Sequence, residues 1–211
     1  MPTILVLLAS SRVGGNGASL VQWVKETFAT LPESREWTLA FYDHLGNTAP
    51  LPLGPVVSNE LPAKQKKTTG EGSGRAGYGY SNDKDREWSA IVDAADAILI
   101  VTPQHNWGYP GELKQSLDHL YHEWKGKPAG IVAYGGHGGT KCAAQLKQVM
   151  AGGLDMKVVG KVCITIPRPT IVSEQRVKPD DEFLKRHRPT LVALFYKLFN
   201  PPNAVYRYLC V

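Results

Sequence analysis

Short apolar runs separated by much longer mixed stretches restrict this chain to few folds. Ile4-Leu5-Val6-Leu7-Leu8, Ala97-Ile98-Leu99-Ile100-Val101 and Gly130-Ile131-Val132-Ala133-Tyr134 are too short for buried helices and too continuously apolar for strands with one wet face. Such runs are strands covered on both faces. Further strands are expected around Trp37–Tyr42 and within Val158–Ile166. Between the strands the apolar spacing becomes helical. Leu20, Val24 and Phe28 mark a helix from about Ala18 to Thr30, and another is expected from about Asp83 to Ala95. Leu113, Leu117, Leu120, Tyr121 and Trp124 line one face of a third, and Cys142, Leu146, Val149 and Met150 point inward from a fourth. Alternation of this kind builds a parallel sheet with helical crossovers.

The 211 residues are enough for a proper core, and residues 1–211 are read as a single α/β domain. Asn47–Pro62 is rich in proline, and the segment 64–82 holds Lys66-Lys67-Thr68-Thr69-Gly70-Glu71-Gly72-Ser73-Gly74, by composition a flexible surface loop. A basic, amphipathic helical extension follows from about residue 180, where Pro189 interrupts or starts a helix because it cannot donate to the preceding turn.

The formal net charge is +5, and residues 1–160 carry fifteen basic and fifteen acidic side chains, so the whole excess follows Gly160. There Lys185, Arg186 and Arg188 stand beside Asp180, Asp181 and Glu182, which reads as a solvated helix. A nucleic-acid binder shows a dense basic face with interleaved aromatics instead, so no nucleic-acid partner is expected. No run approaches the ~20 apolar residues of a membrane helix. Met1-Pro2-Thr3-Ile4 leads straight into a strand, without the charged start, apolar stretch and cleavage site of a signal peptide. The three cysteines, Cys142, Cys163 and Cys210, are far apart and suggest neither a disulfide framework nor a metal site. A reducing, cytoplasmic location is expected, with Cys142 and Cys163 as small buried hydrophobes.

Ligands of open parallel sheets bind beyond the carboxyl ends of the strands, where the strand order reverses. Three loops leave such ends here. In Ser10-Ser11-Arg12-Val13-Gly14-Gly15-Asn16-Gly17-Ala18-Ser19, hydroxyls, an amide and glycines meet a helix start. Free N–H groups and a helix dipole worth ~0.3–2 kcal/mol suit a phosphate. Arg12 can neutralise it through a forked pair of hydrogen bonds. The plainer alternative is a solvent-exposed turn with an ordinary helix cap.

The second loop, Thr102-Pro103-Gln104-His105-Asn106-Trp107-Gly108-Tyr109-Pro110, is stiff at both ends and offers Trp107, Tyr109 and His105 as flat surfaces. It suits a planar heterocycle, or equally a subunit contact filled by aromatics. The third, Tyr134-Gly135-Gly136-His137-Gly138-Gly139-Thr140-Lys141, lets the main chain approach a ligand closely. Its Thr140-Lys141 order fails the nucleotide-triphosphate signature. Gly72-x-Gly74-x-x-Gly77 matches a dinucleotide fingerprint but lacks a preceding strand. His119 and His122 sit three apart on the third helix near Glu123, where a structural role outweighs a metal site; no metal is expected, and no Gly-x-Ser-x-Gly elbow occurs.

Taken together, Ser10-x-Arg12, the loop Pro103-Gln104-His105-Asn106 with Trp107-Gly108-Tyr109-Pro110, the helix Leu113-Lys114-Gln115-Ser116-Leu117-Asp118, Gly126-Lys127-Pro128 and the loop Tyr134–Gly139 resemble the NAD(P)H-dependent FMN reductases, particularly the small fungal quinone reductases among them. The resemblance runs from Ile4 to about Pro167. It implies a flavodoxin-like three-layer sandwich with a five-stranded parallel sheet in the order 2-1-3-4-5 and helices on both faces. Flavin mononucleotide (FMN) phosphate is then expected at Ser10, Arg12, Asn16 and Gly17. The isoalloxazine ring is expected between Pro103, Gln104, His105, Asn106 and Trp107 on one side and Tyr134, Gly135, Gly136, His137 and Gly138 on the other. The implied reaction is a ping-pong hydride transfer from NAD(P)H through FMN to a quinone or similar small acceptor, with no catalytic acid or base assigned. The resemblance also implies a homodimer or tetramer. A flavin-bound, redox-sensing scaffold for a protein partner is the alternative. Two departures stand out: His105 occupies a usual tyrosine position, and Gln104 one where many members carry glutamate.

Overall fold

The computed structural model describes residues 1–10, 12–44, 48, 50–51, 53–54, 61–65, 67–68, 77–173 and 175–202. The strand β1 (Thr3–Leu8) shows why the apolar runs carry no polar alternation. Ile4, Val6 and Leu8 face one core, while Leu5, Leu7 and Ala9 face another on the opposite side of the sheet. The sheet also contains β2 (Thr38–Asp43), β3 (Ala97–Pro103), β4 (Pro128–Gly135) and β5 (Lys157–Thr165). Every neighbouring pair in it is parallel, and the order is β2-β1-β3-β4-β5, as the resemblance implies.

The connections are α1 (Gly17–Ala29), α2 (Asp83–Ala94), α3 (Gly111–Asp118) and α4 (Thr140–Lys147), which runs on into a π-helical turn over Gln148–Gly153. After β5 come α5 (Arg168–Val172), α6 (Glu182–Lys185) and α7 (Arg188–Phe199). One face of the sheet is covered by α1, α6 and α7, the other by α2, α3 and α4.

The third helix is shorter than its apolar spacing predicts. It ends at Asp118, and although Leu120 and Trp124 are buried, Tyr121 is 40% exposed. Side chains replace the helical ladder here: Trp124 Nε1 donates to Leu117 O at 3.1 Å, and the Glu123 carboxylate accepts from Tyr121 N–H at 3.3 Å. His119 and His122 therefore do not share a helix face. His119 is clamped between Asp85 Oδ1 (2.7 Å) and Gly54 O (2.8 Å), and His122 Nε2 meets Ala63 O at 3.0 Å. Both have structural partners.

The tail is solvated at its charged start and packed beyond it. Lys185 is exposed and paired with Glu182, but α7 buries Leu191, Leu194, Phe195, Leu198 and Phe199 against α1 and the sheet. Each such burial contributes about 1.5–3 kcal/mol relative to exposure. Pro189 stands in the first turn of α7, where a missing N–H costs nothing. Of the segment 64–82, residues 66 and 69–76 lie outside the described residues. Its flanks are ordered: Lys67–Thr68 pair antiparallel with Gly77–Tyr78, Tyr80 is 4% exposed, and the Asn82 side chain caps α2 by accepting from Lys84 N–H at 2.8 Å. Cys142 is a buried free thiol and Cys163 a partly buried one, whereas Cys210 lies outside the described residues. Among the described residues no helix is long and apolar enough to cross a membrane.

Candidate cofactor site

The chain runs outward from β1 to β2 and then crosses back to β3, so the carboxyl ends of β1 and β3 flank the reversal of strand order. Ala9 N–H donates to Val101 O at 2.9 Å, which carries the β1–β3 pairing one residue further and buries Ser10. The loop then turns over Arg12–Gly15, closed by Gly15 N–H donating to Arg12 O at 3.2 Å. A methyl group on Gly17 would stand 2.7 Å from Leu8 Cδ1 and 2.9 Å from the Tyr134 hydroxyl. Glycine there lets α1 begin directly against β1 and β4. The first N–H groups of α1 have no acceptor within the helix.

A cleft of about 360 Å³ opens between the three loops, within the ~300–1,000 Å³ of small-molecule sites. Ser10, Arg12 and Asn16 line it from the first loop, Pro103, Gln104 and His105 from the second, and Tyr134, Gly135 and Gly136 from the third. Gly17, Asn106, Trp107, His137 and Gly138 lie outside that lining.

Several lining residues do two jobs. The Asn16 amide accepts from Val177 N–H through Oδ1 at 3.0 Å, so its NH₂ group is the part suited to an anion. Gln104 Oε1 accepts from Lys141 N–H (3.1 Å) and Cys142 N–H (3.2 Å), which caps α4, while its own N–H donates to Tyr134 O at 2.7 Å. Tyr134 is 5% exposed and hydrogen-bonded to Ser10; burial pushes its phenol up to about 12, so it stays neutral. Burial, then the charge of Arg12, lowers the imidazole of His105, which presents a neutral ring to the cleft at neutral pH.

The outer part of the second loop is a tight turn. His105 and Gly108 exchange two backbone hydrogen bonds of 2.9 Å, and Asn106 and Trp107 between them have φ of 48° and 71°. Asparagine tolerates this left-handed backbone, but a bulky aromatic residue rarely adopts it, and such strain concentrates at ligand sites. The turn leaves Trp107 53% exposed, with its ring centroid 5.4 Å from that of His137 and Lys141 Nζ 6.0 Å away. The two aromatic residues bridge the second and third loops at the rim of the cleft.

Sequence patterns did not foretell the fourth wall. Ile166, Thr170, Ile171 and Arg176, all following β5, complete the lining. No motif marks this segment beyond Pro167 and Pro169 at the start of α5. With it the cleft has two guanidinium groups, Arg12 and Arg176, and no carboxylate among the described lining residues. That charge balance fits a phosphate monoester of about −1.5 to −2 charge. The residues present thus suit FMN: cations and helix N–H groups for a phosphate, loop backbone and neutral rings for a flavin.

A larger hollow of about 530 Å³ lies beside the carboxyl ends of α3 and the π-helical turn, at the opposite edge of the sheet. Among the described residues its charged lining groups, Lys114 and Asp118, are paired with each other at 2.6 Å.

Residues 2–170 match the model of the NADPH-dependent FMN reductases. The chain belongs to this family. Over 100 residues it is 54% identical to an NAD(P)H-dependent FMN reductase of Saccharomyces cerevisiae, covering 47% of this chain and 52% of the yeast protein. Over 107 residues it is 50% identical to an NAD(P)H-dependent FMN reductase of Schizosaccharomyces pombe, covering 50% of this chain and 52% of that protein. The chain thus spans about half the length of these curated relatives. Among solved structures, a flavoenzyme NAD(P)H:(acceptor) oxidoreductase from Paracoccus denitrificans aligns with a TM-score of 0.63 over 94% of this chain and 98% of its own, at 21% identity. At that identity the likeness speaks for the flavodoxin-like fold. The family match ends within α5, and the remainder of the fourth wall lies beyond it.

Proposed function

We propose that this chain binds FMN in the cleft at the carboxyl ends of β1, β3 and β4 and transfers two electrons from NAD(P)H to a quinone or similar small acceptor. The observation that carries the reading is the cleft itself: a phosphate-type loop, a planar-ligand loop and a glycine-rich loop converge on one cavity in a member of the FMN reductase family. Bound FMN supplies the hydride chemistry.

The residues of the chain bind and orient. Ser10, Arg12, the Asn16 amide and the start of α1, where Gly17 sits, would hold the phosphate. Pro103, Gln104 and His105 would flank the ring on one side and Tyr134, Gly135 and Gly136 on the other. Trp107 and His137, with Asn106 and Gly138 shaping their turns, would form the rim that substrates pass. A neutral His105 presents a hydrogen-bonding ring without adding charge beside the cofactor. We further propose a cytoplasmic protein that assembles as a homodimer or tetramer.

The purified chain is expected to take up FMN and oxidise NADPH or NADH faster when a quinone is present. A chain that neither retains nor takes up FMN refutes the reading. Arg12→Ala is expected to weaken FMN binding by ~1.5–3 kcal/mol, the scale of a lost charge-assisted hydrogen bond, as measured by quenching of flavin fluorescence.

A further inference from the structure

We propose that Arg176 is a second phosphate-binding residue, carried across the chain to make the cleft select FMN over riboflavin; this rests on the FMN reading above. Residues 175–177, after α5, lie against the phosphate loop as a strap. Arg176 Nε donates to Gly14 O, and Nη1 donates to the carbonyls of Ser173 and Gln175, each at 3.2 Å. Three carbonyls therefore hold the guanidinium plane in place before any ligand arrives. The next residue, Val177, is 2% exposed and ties its N–H to Asn16 Oδ1. Consecutive residues of the strap thus grip both Gly14 and Asn16. In α5, just ahead of these residues, Ile171 meets the third loop: a methyl group on Gly136 would stand 2.9 Å from Ile171 Cδ1.

Electrostatics gives this contact a purpose. Arg12 and Arg176 share one cleft, and no carboxylate among the described lining residues offsets them. Two like charges in one small cavity repel, and a dianion placed between them relieves that repulsion while accepting charge-assisted hydrogen bonds. A phosphate is a dianion of this kind, whereas the ribityl hydroxyl that replaces it in riboflavin carries no charge. Pre-ordered guanidinium groups lose little freedom on binding, which favours the charged ligand further.

The test compares dissociation constants for FMN and riboflavin, read by flavin fluorescence, in the wild-type chain and in Arg176→Gln and Arg176→Lys. Glutamine keeps a donor for Gly14 O and removes the charge. For Arg176→Gln the expectation is FMN binding weakened about 10- to 100-fold, the range of one lost charge-assisted contact, with riboflavin binding unchanged within about twofold. Arg176→Lys, which retains the charge without the fork, is expected to fall between. An equal loss for both flavins makes Arg176 a staple of the loop alone and overturns the proposal, as does an unchanged ratio. Thermal melting of the apo-protein shows whether either variant has lost its fold, in which case the other decides. Failure of the wild-type chain to bind FMN at all refutes the function itself, a result distinct from wild-type binding with an unaltered ratio in the variants.

Discussion

Replacing Gly139 with alanine tests whether the glycines of the third loop serve the ligand or the fold. Gly139 precedes α4 with φ of 70°, and a Cβ there would lie 2.6 Å from the carbonyl carbon of Ala133 and 2.8 Å from its oxygen. Those are backbone atoms of β4, which cannot rotate away. The left-handed backbone costs an alanine about 1–2 kcal/mol, and overpacking against a fixed neighbour typically adds 1–3 kcal/mol. The expected destabilisation is therefore about 2–5 kcal/mol, or roughly 4–20 °C in Tm for a chain of this size. Urea unfolding followed by circular dichroism measures it, with Gly152→Ala as control, since no atom lies within 4 Å of the added methyl there and its φ lies outside the left-handed range. The control is expected to stay within about 0.5 kcal/mol of wild type. Should Gly139→Ala match the control, the start of α4 does not press on β4 as described, and close approach of a ligand becomes the reason for glycine. A shifted α4 would also loosen the Lys141 and Cys142 N–H bonds to Gln104 Oε1, so FMN affinity is expected to fall alongside stability.

Two further outcomes follow from the packing. His44 is 4% exposed, its Nδ1 lies 3.1 Å from Leu8 O, and burial lowers its pKa below the ordinary 6.5. The unfolded chain therefore binds the extra proton first: the stability from neutral His44 is complete above about pH 6.5 and is lost as pH falls from there toward the lower folded-state pKa. Unfolding free energies of wild type and His44→Gln are expected to converge between pH 7.5 and 5.5, and parallel curves count against this. Asn82→Ala is expected to destabilise by about 0.5–2 kcal/mol through loss of the α2 cap, measured by urea unfolding; no change would show that the end of the 64–82 segment is not held as described.

The strands were legible because a strand buried on both faces needs nothing but apolar residues, and Ile4–Leu8 and Ala97–Val101 satisfy that locally. The helix after β3 was overextended for a related reason. Leu120 and Trp124 continue the apolar spacing and are buried, but the Trp124 indole and the Glu123 carboxylate take up backbone groups after Asp118 and turn the chain. Periodicity reports burial; it does not report which hydrogen bond delivers it. The tail reads as amphipathic from its own spacing, but the α1 and β5 surfaces that its apolar face meets are distant in sequence.

At the candidate cleft, Ser10, Arg12, Pro103 and Gly135 are legible as lining residues because each lies within a few residues of a strand end. Trp107 and His137 have the chemistry of ring contacts, yet left-handed backbone at Asn106 and Trp107 sets them against each other at the rim. By itself the sequence determined the doubly covered sheet and the three loops at its carboxyl edge, since apolar runs and glycine-rich strand ends act over short stretches of chain. Only the tertiary structure decided that Arg176 joins Arg12 in one cleft. The bond that brings it there runs from a side chain to the carbonyl of Gly14, and a backbone carbonyl, present in every residue, leaves no mark in a sequence.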